Sequence, residues 1–253
     1  FAGIIVAKVL QKYRSCIRLN SQSSQCIVDS VILEDSDKQL GVIWVVMIDF
    51  CESGEIRVNR ELNVLDKLAS DVSNILAEQG IDHVLVSGYV AVLFGRARST
   101  EDIDTLVATE ALSEEEAERL GNELEDRGYC GPAMPLSSIG LMFEHNDPIR
   151  VARKDQKIPQ VELQPTENIH PSFQNQRTAI VGIGDDIIRL PIVAPEVQIA
   201  YKLTMGGNTD YEDAYYLLKT YHDKLDSKLL DRSVSEYDVE GEYRELKNQA
   251  GIE

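Results

Sequence analysis

HVLVSGYVAVLFGRARSTEDIDTLV, residues 83 to 107, is where the fold and the chemistry of this chain meet. His83 to Ser87 reads as a short buried strand, Gly88 to Gly95 as a turn entering a short helix, and Asp102 to Ala108 as a second strand. Successive side chains of a strand point to opposite faces, so Asp102 and Asp104 share one face, where their carboxylates can converge on a cation. Hard oxygen donors of this kind suit magnesium. The Asp-x-Asp spacing alone decides nothing, because so acidic a chain holds about seven acidic-x-acidic pairs by chance. Context adds specificity. Ser87 and Gly88 lie between strand and helix, where a backbone without side chains can approach a phosphate and helical N–H groups can hold its oxygens, although a tight turn alone would also ask for Gly88.

Upstream, Leu62, Leu65, Leu68, Val72, Ile75 and Leu76 form a helical stripe over Asn59 to Gln79, with Asn59 as N-cap and Gly80 as stop. Downstream, Ser113 and Glu116 form a capping box opening a helix that runs to about Arg127. Ile149 to Leu163 and Thr178 to Ile192 read as two hairpins, the second turning at Gly184 to Asp186, with a polar loop from Gln164 to Gln176 between them. Pro195 then opens a helical end, with helices over Glu196 to Met205, Asp210 to Tyr221 and Ser227 onward. The expected fold class is α/β (α+β), a mixed-sheet core with a C-terminal helical subdomain.

The chain has 253 residues and a formal charge of -18, from 43 Asp and Glu against 25 Lys and Arg. Such a charge repels polyanions and speaks against general coating of nucleic acid, so any nucleotide or RNA site must be local. Residues 1–46 carry net +1, leaving net -19 for the remainder. The chain opens with Phe1, and its first methionine is Met47. This divides it into an extension at 1–46, a core at 47–193 and a helical part at 194–253. The extension reads either as an appendage, with an overextended reading frame as one account of it, or as a genuine segment with a strand at Leu40 to Asp49. Cys16, Cys26, Cys51 and Cys130 show no C-x-x-C pairing, which argues against structural zinc or a disulfide framework and for a reducing cytoplasm. No apolar run approaches the roughly 18 residues of a membrane span, and no signal peptide is visible.

The segment at 83–107 resembles the signature of the DNA polymerase beta-like nucleotidyltransferase superfamily, a small-residue turn followed by a spaced Asp-x-Asp. The surrounding R-x-T-x-D-I-D, Arg98 to Asp104, is most similar to the branch containing AbiEii-type abortive-infection toxins. A later block of that branch is matched by PEVQIAYKLTMGGNTDYEDAYYLL, residues 195 to 218, about 90 residues on. The resemblance spans roughly Glu55 to Leu230. It implies transfer of a nucleotide from an NTP to a hydroxyl acceptor, tRNA among the acceptors of the toxin relatives, with two Mg2+ ions held by Asp102 and Asp104 and with an antitoxin protein as partner.

The resemblance also implies a third carboxylate on a neighbouring strand. Glu162 is the candidate, because Val161 and Leu163 would face the core and Glu162 the opposite side; a solvent-facing glutamate is the competing account. Arg98 and Lys202 are expected near the triphosphate, against surface pairing of Arg96 and Arg98 with Glu101 and a solvated Lys202. Asp210 and Asp213 share a helical face; by resemblance one of them supports a catalytic base, while Asp210 could equally cap its helix. Arg150, Arg153, Lys154 and Lys157 could meet RNA phosphates or guard a hairpin edge. The chain departs from the family pattern in its Ser87-Gly88 order, in a Glu as third carboxylate and in the large Tyr89, which could stack on a base or pack beneath the helix. A non-catalytic member that binds nucleotide or a partner protein is the alternative function.

Overall fold

The computed structural model describes residues 47–110 and 112–252. Strands β1 (Met47–Phe50) and β2 (Ile56–Asn59) lead into helix α1 (Val64–Glu78), strand β3 (His83–Leu85), helix α2 (Ser87–Leu93) and strand β4 (Asp102–Ala108). Helix α3 (Glu114–Asp126), strand β5 (Tyr129–Cys130) and helix α4 (Ile139–Glu144) follow. The hairpin of β6 (Ile149–Arg153) and β7 (Gln160–Thr166) is separated by helix α5 (Pro171–Gln174) from that of β8 (Gln176–Ile183) and β9 (Asp186–Val193). Helices α6 (Pro195–Met205), α7 (Asn208–Tyr221), α8 (Ser227–Glu236) and α9 (Glu240–Ala250) complete the described chain.

The strands form one mixed sheet in the order β1-β2-β8-β9-β3-β4-β7-β6-β5. β3 is parallel to β9 and antiparallel to β4, and β4 is parallel to β7. The C-terminal end of β3 therefore lies beside the N-terminal ends of β4 and β7, so the Ser87 turn, Asp102 and Glu162 gather at one edge of the sheet. The apolar faces of these strands, including Val84, Ile103, Val161 and Leu163, share a core with α1, α3 and the C-terminal helices. Burying those side chains stabilises the fold by roughly 25 cal/mol for each Å² of apolar surface removed from water. The C-terminal helices are fastened to the end of α2 by polar contacts as well. The hydroxyls of Tyr216 and Tyr221 both donate to the carbonyl of Phe94, at 3.1 and 2.7 Å, and the Phe94 and Tyr221 rings meet edge-on at 5.5 Å. The fold class is thus α/β with a mixed sheet and a helical C-terminal part, as expected.

β4, both hairpins and the Ser113–Glu116 capping box lie where the sequence places them. Asn59 does not cap α1; it ends β2, and Asn63 is the cap, its Oδ1 accepting from the Asp66 N–H at 2.9 Å while Asp66 Oδ2 accepts from the Asn63 N–H at 2.8 Å. The apolar stripe extends back to Leu62, so periodicity could not find the boundary, whereas the Asn63-x-x-Asp66 pair could. The polar loop from Gln164 contains the end of β7 and all of α5. The final helix is two, broken where Asp238 turns to φ 54° without a glycine or proline to announce it. Of the strand expected at Leu40 to Asp49, the part from Met47 is β1; residues 40–46, the remaining extension, Cys16 and Cys26 lie outside the described residues. Cys51 and Cys130 are free. Among the described residues no helix is long and apolar enough to cross a membrane.

Two helical glycines separate packing from propensity. A Cβ on Gly121 of α3 would stand 2.5 Å from the Leu136 carbonyl oxygen, whereas one on Gly241 of α9 would meet nothing within 4 Å. Gly121→Ala is expected to lose about 1–3 kcal/mol, and Gly241→Ala to gain about 0.5–1 kcal/mol, in urea unfolding monitored by circular dichroism. Equal effects at the two sites would contradict this packing of α3.

Candidate active site

β4 and β7 pair in parallel with Asp102 opposite Gln160 and Asp104 opposite Glu162. Ile103, Val161 and Leu163 fill the core on one face. Alternation turns Asp102, Asp104, Glu162 and Gln164 to the other, where all four are partly exposed. Three carboxylates thus occupy neighbouring positions on one face of two strands, as the sequence reading expects. Each takes an N–H donor from β6 or β7. Gln160 Nε2 donates to Asp102 Oδ1 at 2.7 Å, Gln164 Nε2 to both Asp104 Oδ1 (3.2 Å) and Glu162 Oε1 (3.1 Å), and Arg150 Nε to Glu162 Oε2 (3.0 Å). As these side chains stand, no three His, Cys, Asp or Glu groups among the described residues are assembled to hold a metal ion. Burial raises the pKa of Asp104 above the ordinary carboxylate value; the Ser87 hydroxyl opposes the rise, Glu162 adds to it, Lys202 opposes it and Asp102 adds to it.

The turn after β3 brings the cationic half of the site. Ser87 has φ 61°, a left-handed conformation costly for a residue with a Cβ. It is held by Gln198 of α6, whose Oε1 accepts from the Ser87 N–H at 3.1 Å and whose Nε2 donates to the Ser87 carbonyl at 2.9 Å. Gln198 is fully buried, and the sequence reading misses it; its position four residues before Lys202, one helical turn away, is the signal that could have found it. The Ser87 N–H is therefore committed within the protein. Gly88 is buried, and a Cβ there would meet the Arg98 guanidinium and Thr100 Oγ1 at 3.3 Å, so its missing side chain makes room for the loop before β4. Tyr89 is fully buried and donates its hydroxyl to Asp66 Oδ1 at 2.8 Å, which settles its two readings in favour of packing.

Lys202 is only 2% exposed, not a solvated helix lysine. Its Nζ donates to Ser87 Oγ at 3.1 Å and to Asp210 Oδ1 at 2.6 Å, and lies 3.4 Å from Asp213 Oδ2. Asp213, with no exposure, also receives Arg96 Nε at 2.9 Å and Arg98 Nη1 at 2.5 Å. Arg96 further pairs with Glu212. The two arginines thus bind the acidic face of α7, not Glu101, because a buried carboxylate needs partners more than an exposed one does. Asp210 lies in the first turn of α7 without capping it; the N-cap is Gly207. Asp210 and Asp213 do share a helical face, through Lys202.

Of the basic run on the β6–β7 hairpin, Arg153 pairs with Asp71 and lies over the Tyr129 ring, and Lys154 donates to the Glu125 carbonyl at the end of α3. Those two are committed to contacts with α1, the Tyr129 ring and α3; Arg150 is the member of the run that bonds a carboxylate of the site, Glu162.

No family model matches the chain, and no curated protein matches it in sequence. Solved structures that resemble it include an antigenic nucleotidyltransferase-like protein from Paracoccidioides brasiliensis, at 15% identity over 73% of this chain and 90% of that one, with a TM-score of 0.45. The lincosamide antibiotic adenylyltransferase LnuA, lincomycin-bound, shares 17% identity over 62% of this chain and 98% of its own, with a TM-score of 0.38. The antibiotic-resistance factor ANT(2'')-Ia shares 13% identity over 72% and 95%, with a TM-score of 0.42. Likeness at this level says nothing of what this chain does.

The geometry sets two stability expectations. Asp213→Ala takes one shared carboxylate from Lys202, Arg96 and Arg98 and leaves Arg98 without its ion-pair partner; it is expected to cost about 3 kcal/mol or more, while Asp210→Ala, whose carboxylate is partly exposed and whose partner Lys202 keeps Asp213, costs about 1 kcal/mol or less, both by urea unfolding. Asp104 has a folded pKa above its unfolded value, so its contribution to stability is complete below the unfolded pKa and is lost as pH rises through the folded one. Asp104→Asn is therefore expected to raise the thermal midpoint at pH 7; a lower midpoint there would contradict this.

Proposed function

We propose that the chain is a divalent-metal-dependent nucleotidyltransferase, moving a nucleotide from an NTP to a hydroxyl acceptor with release of pyrophosphate. The observation that carries this reading is the register of Asp102, Asp104 and Glu162 on one face of β4 and β7, beside a strained turn bonded to the buried Lys202. Three neighbouring carboxylates, two of which add their charge to the burial that raises the pKa of Asp104, form a hard-oxygen donor set with unbalanced negative charge, which fits Mg2+. Asp102, Asp104 and Glu162 would hold the ions. When bound, they lower the pKa of an attacking hydroxyl and offset charge on the departing pyrophosphate.

The chain's own groups have separate tasks. The acceptor oxygen forms a bond to the α-phosphorus, the bond from that phosphorus to the pyrophosphate oxygen breaks, and a carboxylate of the Asp104–Glu162 pair receives the hydroxyl proton. The Lys202 ammonium, aimed at Ser87 Oγ by Asp210 and Asp213, places a fixed positive charge beside the turn, where triphosphate oxygens would be received. Ser87 and Gly88 would border those oxygens, and Arg98, tied to Asp213, acts there as a support for Lys202 and the turn. The acceptor class, tRNA included, a toxin-like role and an antitoxin partner rest on the sequence resemblance.

A second reading, a non-catalytic protein that keeps the fold to bind nucleotide, is favoured by the donors already placed on all three carboxylates. Incubation of the full chain with Mg2+, each α-labelled NTP and total tRNA or other hydroxyl acceptors separates the two. Label transfer is expected with at least one NTP, lost on chelation and reduced about a thousandfold or more in Asp104→Asn. NTP binding without transfer to any acceptor would favour the second reading.

A further inference from the structure

Arg150 and Glu162 are direct partners across the antiparallel β6–β7 pair, and their side chains meet at 3.0 Å. Arg150 is 49% exposed and Glu162 17%, so the contact is open to water on its Arg150 side. β7 lies between β4 and β6, and Arg150 therefore draws Glu162 toward the side away from Asp102 and Asp104. Glu162 first, and then the charges of Asp102 and Asp104, push the pKa of the Arg150 guanidinium up. The other Glu162 oxygen accepts from Gln164, which bridges to Asp104. Every carboxylate of the donor set thus accepts from an N–H, and among the described residues no three-ligand cluster stands assembled.

The donors are not equivalent. The Gln160 and Gln164 amides carry no net charge, and either can rotate away from a carboxylate without changing the electrostatic balance. Arg150 is a full positive charge that competes directly with a divalent ion for Glu162. Arg153 and Lys154 on the same hairpin are fixed to α1 and α3, whereas Arg150, among the described residues, makes its ion pair with Glu162 alone. An ion pair so open to water is weak enough to be exchanged.

We infer that Arg150 is a positioning residue for Glu162, an internal counter-ion that holds the third carboxylate in reserve and that a divalent cation displaces when the site loads. This rests on the metal-binding reading above and adds to it a built-in weakening of cation affinity. Cation binding and release of Arg150 are then linked: whatever draws the guanidinium from Glu162, such as an anionic substrate group, tightens cation binding by the same factor.

Titration of the full chain with Mn2+, with free Mn2+ read by electron paramagnetic resonance, tests this without reference to turnover. Arg150→Ala is expected to bind Mn2+ about tenfold more tightly than the unaltered chain. Arg150→Lys, which keeps the charge, should lie close to the unaltered chain, and the gain should vanish in Arg150→Ala/Glu162→Gln. Unchanged or weaker binding by Arg150→Ala overturns the inference, as does a gain that survives Glu162→Gln, since that would be a general charge effect. If Mn2+ binding is abolished by Asp104→Asn yet indifferent to Arg150, the inference alone fails; if no Mn2+ binds, or binding ignores Asp104, the metal reading fails and the inference with it. Unfolding midpoints of each variant distinguish loss of fold from loss of binding.

Discussion

The carboxylate of Asp213 has no exposure to solvent, and the rest of the site is arranged around that fact. A charge in such a place is tolerated only with close partners, and three cations supply them: Arg96 and Arg98 from the loop before β4, and Lys202 from α6. Their attraction to one carboxylate fastens the loop leading into Asp102 and the helix bearing Lys202 to α7. The same contact fixes the Lys202 ammonium against Ser87 Oγ, so a structural requirement of the buried helix becomes the placement of a positive charge beside the carboxylate strands.

Ser87 adds strain to this frame. A left-handed serine is held by two hydrogen bonds from the buried Gln198 amide, which pairs with it as a neighbouring strand would. Ser87 and Gln198 are 111 residues apart in the chain, and Lys202 lies one turn beyond Gln198. One helix, α6, thus both braces the turn and bears the cation. The carboxylates of β4 and β7 are fixed by strand register, a stiffer support than a loop. The result is a cationic side set by an ion network and an anionic side set by a sheet, which is what transfer of a phosphoryl-type group between bound partners requires.

Much of this was legible in the sequence because it is local. Alternation in the DIDTLV and QVEL segments placed Asp102, Asp104 and Glu162 on one face, and the Ser113-x-x-Glu116 box located α3 to within a residue at its start. What was not legible is long-range. Nothing near Arg98 says that it pairs with Asp213, 115 residues later, in place of nearby Glu101. Arg150 read as one of four similar basic residues, because only the hairpin register puts it opposite Glu162 while Arg153 and Lys154 turn to Asp71 and Glu125. The cap read at Asn59 lies four residues early because the apolar stripe continues back through Leu62, and Tyr89 offers two roles until its hydroxyl is placed against buried Asp66. Each of these depends on which residues tertiary packing brings together, information that periodicity does not carry.

The central claim is that the Ser87 turn, the β4–β7 carboxylates and Lys202 form one nucleotide site. A titration of the isotopically labelled full chain with a non-hydrolysable NTP analogue and Mg2+, followed by backbone amide NMR shifts, tests it most directly. The account predicts that signals of Ser87, Gly88, Asp104, Glu162 and Lys202 move together along one saturable curve that requires Mg2+. Shifts confined to another surface, or movement of the α6 signals without those of β4 and β7, would contradict it.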